Sequence, residues 1–356
     1  MASPLRIIAG PKARARLQAQ GFQQELFQVL MAASGGPKWF ILYGLDCYLF
    51  GEFFKHRQQP IHTLGSSAGA WQMSCFGQKD PVAAITRLAQ HYSTETYSEK
   101  PDVEEITHKA RLMVEHMLGA TGVAEIVANP VVNTHILADR CRGPVALENR
   151  WLQMLGLGLA AGANALSRKT LSVFFERVIF HSGSRSFFAF QDQATRVTPL
   201  TEANVTDALM ASGAIPLVLK GVSNIDSAPA GVYRDGGIVD YHFDLPLQTD
   251  PEALVLYPHF SQKVLPGWFD KMLSYRKVDP RNYDNVVMLT PSPELVSQLP
   301  YQKISDRNDF KHLDDSTRLG YWQKVLDSSQ RLAEDLDALV HHGTGLDDIY
   351  PFPGTT

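Results

Sequence analysis

A serine flanked by glycines is the residue of this chain whose setting most favours chemistry. Gly65-Ser66-Ser67-Ala68-Gly69 matches the pattern G-x-S-x-G and follows a short apolar run at 61–64. On a sharp turn from a strand into a helix a serine hydroxyl is exposed, and small neighbours are needed because the turn is tight. The helix N-terminus then presents free N–H groups that stabilise a developing anion. The pattern predicts Ser67 as a nucleophile, against the alternative of an ordinary glycine turn.

Two further segments carry groups that such a serine needs. Ser34-Gly35-Gly36-Pro37-Lys38 joins a predicted strand to a predicted helix, and its glycines leave N–H groups bare for an oxyanion. Arg234-Asp235-Gly236-Gly237 places a carboxylate on a loop, where it could act as a general base for a serine. On its own, the first segment fits a plain turn that leads into a helix better than an oxyanion loop, and the second is by default a plain turn.

A fourth segment is Ala211-Ser212-Gly213-Ala214-Ile215-Pro216. A helix that ends at glycine and proline explains this segment better than a direct catalytic role does.

In this order, the four segments resemble the patatin-like phospholipase family over about residues 28–250. The resemblance implies a patatin-like fold and a Ser–Asp dyad in place of a triad. Ser67 matches the nucleophile and Asp235 the acid of the dyad, while Gly35 and Gly36 match the oxyanion loop. The family's loop has three consecutive glycines, then any residue, a basic residue and another glycine.

This chain departs from that loop at three positions. Ser34 stands for the first glycine, Trp39 for the last, and Pro37, which has no N–H, falls at the free position. The remaining donors would be Gly35, Gly36 and the Ala68 N–H. Loss of one donor costs about 2.7–4 kcal/mol of transition-state stabilisation. A catalytically weak or inactive lipid-binding protein on the same fold is therefore one alternative.

The elements that must position these residues follow from apolar runs that alternate with helical patterns. This alternation predicts an α/β fold, a layered sheet with helices on both faces. The predicted strands are 29–33, 61–64, 131–137, 173–180, 187–190, 254–257 and 286–289. The predicted helices are 39–54, 68–76, 81–91, 109–118, 203–212 and 311–340, with an apolar helical stretch at 147–170.

We expect one hydrolase domain over 1–356, with a lid insertion at 95–172 and a C-terminal helical extension at 260–356. The stretch 147–170 begins with Glu148, Asn149 and Arg150 and is then mostly apolar, but it is too rich in glycine to span a bilayer. It would suit a lid over an acyl-chain cleft or a contact with a membrane surface. A helix pair buried in the core is the alternative.

Charge and cysteine usage narrow the class of protein. A net charge of -4 gives no general attraction to nucleic acid, and the basic residues near the N-terminus fit a solvated helix face better than a transit peptide. Cys47, Cys75 and Cys141 have no CxxC spacing, which argues against a disulfide framework or a metal site. We therefore expect a cytoplasmic protein without metal or cofactor, with peripheral contact to membranes.

Together these features predict a lipid acyl hydrolase that acts on an acyl ester or phospholipid through an acyl-enzyme. A Ser-His-Asp esterase and an acyltransferase remain alternatives. The histidines that could complete a triad include His242, His259, His312, His341 and His342.

Overall fold

The structure, a computed structural model, describes residues 3–183, 186–188 and 190–353 and has a mixed α/β fold. Within these residues twelve strands form one sheet. The strands are β1 Leu5–Ala9, β2 Phe27–Ala32, β3 Ile61–Ser66, β4 Val132–Asn133, β5 His135–Cys141, β6 Phe175–His181, β7 Thr195–Pro199, β8 Val222–Ser223, β9 Val232–Asp235, β10 Leu254–Pro258, β11 Val286–Pro291 and β12 Tyr350–Pro351. The helices are α1 Pro11–Gln20, α2 Tyr43–Tyr48, α3 Ala68–Phe76, α4 Pro81–Ser93, α5 Val103–Leu118, α6 Gly122–Ala128, α7 Arg150–Leu166, α8 Leu171–Phe174, α9 Val205–Ser212, α10 Pro293–Gln298, α11 Asp309–His312 and α12 Asp315–His342.

The central strands are covered on both sides. The main strand order is β12-β1-β11-β10-β2-β3-β5-β6-β7, and β10, β2, β3 and β5 are parallel neighbours. Every residue of β6, β10 and β11 is buried. Because successive side chains of a strand point to opposite faces, unbroken burial requires protein on both faces of the sheet.

Strand β5 brings the two residues of the candidate dyad, Ser67 and Asp235, close to each other. β3 pairs with β5 in parallel, with Ser66 opposite Leu137. β9 pairs with β5 in antiparallel orientation, with Asp235 opposite Ala138. Since Leu137 and Ala138 are neighbours, the chain immediately after β3 and the last residue of β9 meet at one place on the sheet.

Most predicted elements are present, and helix α3 has the predicted bounds. The predicted helix 39–54 is instead a succession of a 3₁₀-helix Gly36–Leu42, helix α2 and a π-helix Leu49–Phe53. The predicted strand 187–190 is wrong for the residues that are described, since residues 187, 188 and 190 do not belong to any strand of the sheet. Residue 189 lies outside the described residues. The rings of Phe188 and Phe190 are buried and stack at 5.6 Å, so packing and not strand pairing explains this apolar run.

The two segments at which a lid and an extension were predicted both contribute to the sheet. The range 95–172 contains β5 at the centre of the sheet as well as helix α7. The range 260–356 is not only helical, because it supplies strand β11 between β1 and β10. The long helix α12 packs mainly on α2 and on the 3₁₀-helix Gly36–Leu42.

Candidate active site

Ser67 lies on a strained turn between β3 and α3. Its φ is 55°, in the left-handed region that non-glycine residues seldom adopt, and such strain costs about 1–3 kcal/mol. A Cβ on Gly65 would lie 2.5 Å from the carbonyl oxygen of Gly69, and a Cβ on Gly69 would collide with the carbonyl oxygen of Ala32. Both motif glycines are therefore required by close backbone contacts, and the turn presents the Ser67 side chain at the carboxyl end of strand β3.

The backbone of this turn is held by a serine from a distant helix. The hydroxyl of Ser212, the last residue of α9, accepts the Ser67 N–H at 2.9 Å and donates to the Leu137 carbonyl at 2.6 Å. Ser212 is fully buried. The sequence favoured a simple helix end at this position, so a contribution of Ser212 to the site was missed. The only sequence signal for it was its place in the resemblance.

The Ser67 hydroxyl donates directly to a carboxylate. Its Oγ lies 2.8 Å from Oδ2 of Asp235, with no imidazole between the two atoms. The other oxygen of Asp235, Oδ1, accepts the Gly237 N–H at 2.8 Å. The backbone N–H of Asp235 donates to the Ala214 carbonyl at 3.1 Å. The carboxylate is thus fixed on both sides and has one oxygen directed at the serine.

The environment of Asp235 makes it a stronger base than a carboxylate in water. Burial raises the pKa of Asp235 to about 6, against the lowering effects of the hydrogen bonds from Ser67 and Gly237 and of the charges of Arg307 and Lys271. At neutral pH the carboxylate is mostly ionised and can take a proton from the serine.

The glycine-rich segment adjoins the same cavity. The Ser34 N–H donates to the Tyr241 carbonyl at 3.0 Å, so it is not free to bind an oxyanion, and the Ser34 hydroxyl lies 2.6 Å from that of Ser66. Trp39 is fully buried in the core. Gly35 and Gly36 line the cavity beside Ser67, and no hydrogen bond within the described part of the chain uses their N–H groups. Helix α3 begins at Ala68, which leaves the N–H of that residue outside the helical hydrogen bonds.

A buried ion-pair network supports the loop that follows Asp235. The Arg177 guanidinium donates to both carboxylate oxygens of Asp240, at 2.5 and 2.8 Å, and also to Asp192. Arg168 contacts Asp240 and Asp270. The network connects β6 and the 3₁₀-helix that follows α7 to the segment after Asp235, and no local pattern in the sequence predicts it.

The cavity at Ser67 has a volume of about 150 Å³. No histidine among the described residues lines it. His242 and His259 are buried away from it, and burial lowers the pKa of each. The cavity is lined by Ser34, Gly35, Gly36, Lys38, Ser67, Ile215, Pro216, Asp235, Gly237, Ile238, Tyr241, Trp268, Lys271, Asp306, Arg307 and Asn308.

In residues 3–183, 186–188 and 190–353, no three His, Cys, Asp or Glu side chains converge as they would around a metal ion. Across the same residues, no helix has both the length and the hydropathy needed to cross a bilayer.

Comparison with known proteins does not assign this chain to a family. No family model matches the chain, and no curated protein matches it. A solved structure, VipD from Legionella pneumophila, is similar to it at 12% sequence identity and a TM-score of 0.36, over 98% of this chain and 75% of VipD. So remote a likeness says nothing about the activity of this chain.

Proposed function

We propose that this protein is a lipid acyl hydrolase of patatin-like type, with Ser67 as nucleophile and Asp235 as general base. The observation that carries the proposal is the direct hydrogen bond of 2.8 Å from Ser67 Oγ to Asp235 Oδ2. It occurs at a strained strand-to-helix turn, the geometry in which a nucleophilic serine is found. The order of the four sequence segments and the α/β fold agree with it.

The groups present are sufficient for a two-step reaction. Ser67 Oγ attacks the ester carbonyl carbon while its proton passes to Asp235 Oδ2. The N–H groups of Gly35, Gly36 and Ala68 stabilise the oxyanion. The intermediate expels the alcohol, which takes the proton from Asp235. Water then attacks the acyl-enzyme, gives its proton to Asp235 and releases the fatty acid, and the proton of Asp235 returns to Ser67 Oγ.

An exposed apolar face on helix α7 supports a lipid substrate. The α7 apolar face comprises Trp151, Leu155, Leu159 and Leu166, which are between 52% and 89% exposed. The opposite side of the helix, with Gly156, Leu157 and Ala160, is buried. A lid and a helix buried in the core were the alternatives for this stretch. Helix α7 has an exposed apolar side, as a lid would have, and a buried side, as a core helix would have. An exposed face made of four large apolar side chains favours contact with an apolar partner.

The inner side of α7 contacts the segment that follows the cavity-lining Pro216, and two basic residues lie near the ends of the helix. Gln153 on the inner side of α7 accepts the Leu217 N–H at 3.0 Å, just beyond the cavity-lining Pro216. The exposed Arg150 is the first residue of α7, and the exposed Lys169 lies three residues beyond its last residue. A cavity of about 150 Å³ holds a group the size of benzene. A long acyl chain must therefore extend out of it, and peripheral contact of α7 with an anionic membrane would receive that chain.

Labelling with a fluorophosphonate and mass-spectrometric mapping of the modified residue tests the dyad. We expect wild type to be labelled on Ser67 and Ser67→Ala to lose both label and turnover of a short-chain ester. Ser66→Ala is the matched control, because Ser66 is the neighbouring buried serine and its hydroxyl faces Ser34. Label on Ser66 would show that the motif is assigned in the wrong register. A folded wild type without label or turnover would favour the inactive lipid-binding alternative.

The same assay separates the dyad from a triad. Each histidine downstream of Ser67 is replaced singly with Gln, and we expect most of the activity to remain. A histidine variant as inactive as Ser67→Ala would establish a Ser-His-Asp mechanism instead.

A further inference from the structure

Ser34 stands where the glycine-rich loop of the patatin-like family has its first glycine. It lines the cavity together with Gly35 and Gly36, the proposed oxyanion donors. The N–H of Ser34 is already bound to the Tyr241 carbonyl at 3.0 Å, so its backbone adds no donor for a substrate. The hydroxyl, which a glycine lacks, is therefore the group that this substitution adds beside the cavity.

The hydroxyls of Ser34 and Ser66 form a buried pair that has one O–H donor more than the pair can use. Their oxygens lie 2.6 Å apart, and within the described part of the chain neither hydroxyl has another hydrogen-bond partner. Each hydroxyl carries one O–H donor, and the contact between them uses only one of the two. Both residues are buried, with 2% of Ser34 exposed and none of Ser66. One O–H group of the pair is therefore left without an acceptor.

Burial decides which of the two serines keeps the spare O–H group. Ser66 is fully buried and is not one of the residues that line the cavity, whereas Ser34 is. If Ser34 were the donor, the Ser66 O–H would be left without an acceptor where neither water nor substrate reaches it, and an unpaired buried donor costs free energy. The favourable arrangement has Ser66 donating to Ser34. It leaves the Ser34 O–H free next to the cavity.

The Ser34 hydroxyl lies close to the carboxylate of the proposed base without bonding to it. A Cβ built on Gly237 would collide with Ser34 Oγ and would lie 2.9 Å from Oδ1 of Asp235. Both oxygens therefore border the same side of Gly237. The Asp235 oxygens accept the Ser67 O–H and the Gly237 N–H, and neither accepts a hydrogen bond from Ser34. The spare O–H thus lies beside the reacting groups and is available to a substrate.

We propose that Ser34 is a further catalytic residue, whose hydroxyl donates a hydrogen bond to the carbonyl oxygen of the scissile ester. Side-chain hydroxyls are among the groups that form oxyanion holes, and their hydrogen bonds strengthen as negative charge develops on the oxygen. Ser34 adds a donor to the N–H groups of Gly35, Gly36 and Ala68. This assignment rests on the proposed hydrolase function. It adds a residue that the family resemblance does not supply, because the family has a glycine at this position.

Ser34→Ala and Ser66→Ala are a matched pair, because each removes one hydroxyl of the same hydrogen bond. Both should lower the midpoint of urea denaturation by a similar amount. We expect kcat of Ser34→Ala on a short-chain ester to fall by about 100-fold with KM nearly unchanged, since loss of one oxyanion donor costs about 10²–10³-fold in kcat. Ser66→Ala leaves the Ser34 O–H in place and should lose much less activity. A role of the pair in the fold alone would make the two variants equally active.

The pH profile separates a donor to the ester from a donor to Asp235. If Ser34 binds the ester, kcat/KM of Ser34→Ala should still fall as the pH drops through about 6, as in wild type. A hydrogen bond from Ser34 to the Asp235 carboxylate would hold its pKa down, so loss of that bond would move the fall to higher pH. Such a shift, or equal kcat in the two alanine variants, would overturn the proposed donor. The hydrolase would still stand, provided that Ser67→Ala is inactive.

Ser34→Cys serves as the second variant if Ser34→Ala does not fold. A thiol is a weaker donor than a hydroxyl, so kcat should fall while Ser67 remains the residue that the fluorophosphonate labels. A kcat equal to that of wild type would overturn the donor role. A folded wild type without label or turnover would refute the hydrolase, and the donor role with it.

Discussion

Removal of the Ser212 hydroxyl, which does not line the cavity, should lower both the stability of the protein and its activity. Ser212→Ala deletes the group that accepts the Ser67 N–H and donates to the Leu137 carbonyl. Ser212 is fully buried, so water cannot replace the lost partner without rearrangement. Two buried backbone groups then lose a hydrogen bond, the Ser67 N–H its acceptor and the Leu137 carbonyl the donor from Ser212.

The magnitude follows from those two groups. Each buried polar group without a partner costs about 1–3 kcal/mol, so the free energy of unfolding should fall by about 2–4 kcal/mol after partial relaxation. The φ of 55° at Ser67 is strained, and loss of its amide hydrogen bond lets the turn relax. A displacement of about 1 Å in a reacting group can cost about 100-fold in rate, so we expect kcat to fall by tenfold or more.

Ser74→Ala is the matched control. Ser74 is a buried serine on helix α3 whose hydroxyl has no hydrogen-bond partner, so its removal should leave stability and kcat nearly unchanged. Urea denaturation gives the free energy of unfolding, and turnover of a short-chain ester gives kcat. If Ser212→Ala costs no more than Ser74→Ala in both measurements, the turn at Ser67 does not depend on this hydroxyl and the reasoning is refuted.

Three further predictions concern the base and the lipid surface. Asp235→Asn should lower kcat/KM by about 10²–10⁴-fold with the fold intact, because an amide cannot accept the serine proton; near-normal turnover would exclude this base. Wild-type kcat/KM should fall as the pH drops through about 6, since a pKa of about 6 means that Asp235 becomes protonated and inactive below it; a flat profile between about pH 5 and 8 would contradict that role. Leu155→Ser combined with Leu159→Ser should spare soluble esters and weaken binding to anionic vesicles, as sedimentation would measure, because both side chains are more than half exposed. Unfolding of that double variant would instead assign the two residues to the core.

Local patterns in the sequence determined much of the layered fold. Buried strands such as β10 and β11 follow from short apolar runs, and helix α3 follows from an unbroken helix-forming run after a glycine turn. The G-x-S-x-G pattern was sufficient to predict a tight turn at Ser67, because the backbone contacts there exclude side chains at both glycines. These features depend on neighbours in the sequence, so they could be predicted without the rest of the chain.

Only the tertiary structure decided how distant parts of the chain meet. Strands β7 and β9 were missed because a short or partly polar strand is defined by its partner and not by its own pattern. The Ser67–Asp235 hydrogen bond depends on β5 pairing with both β3 and β9, and it joins residues 168 positions apart. The hydroxyl of Ser212 and the cations at Lys271 and Arg307 likewise reach the cavity through long-range packing. Such contacts are set by the register of the whole sheet, for which no local stretch of sequence carries a signal.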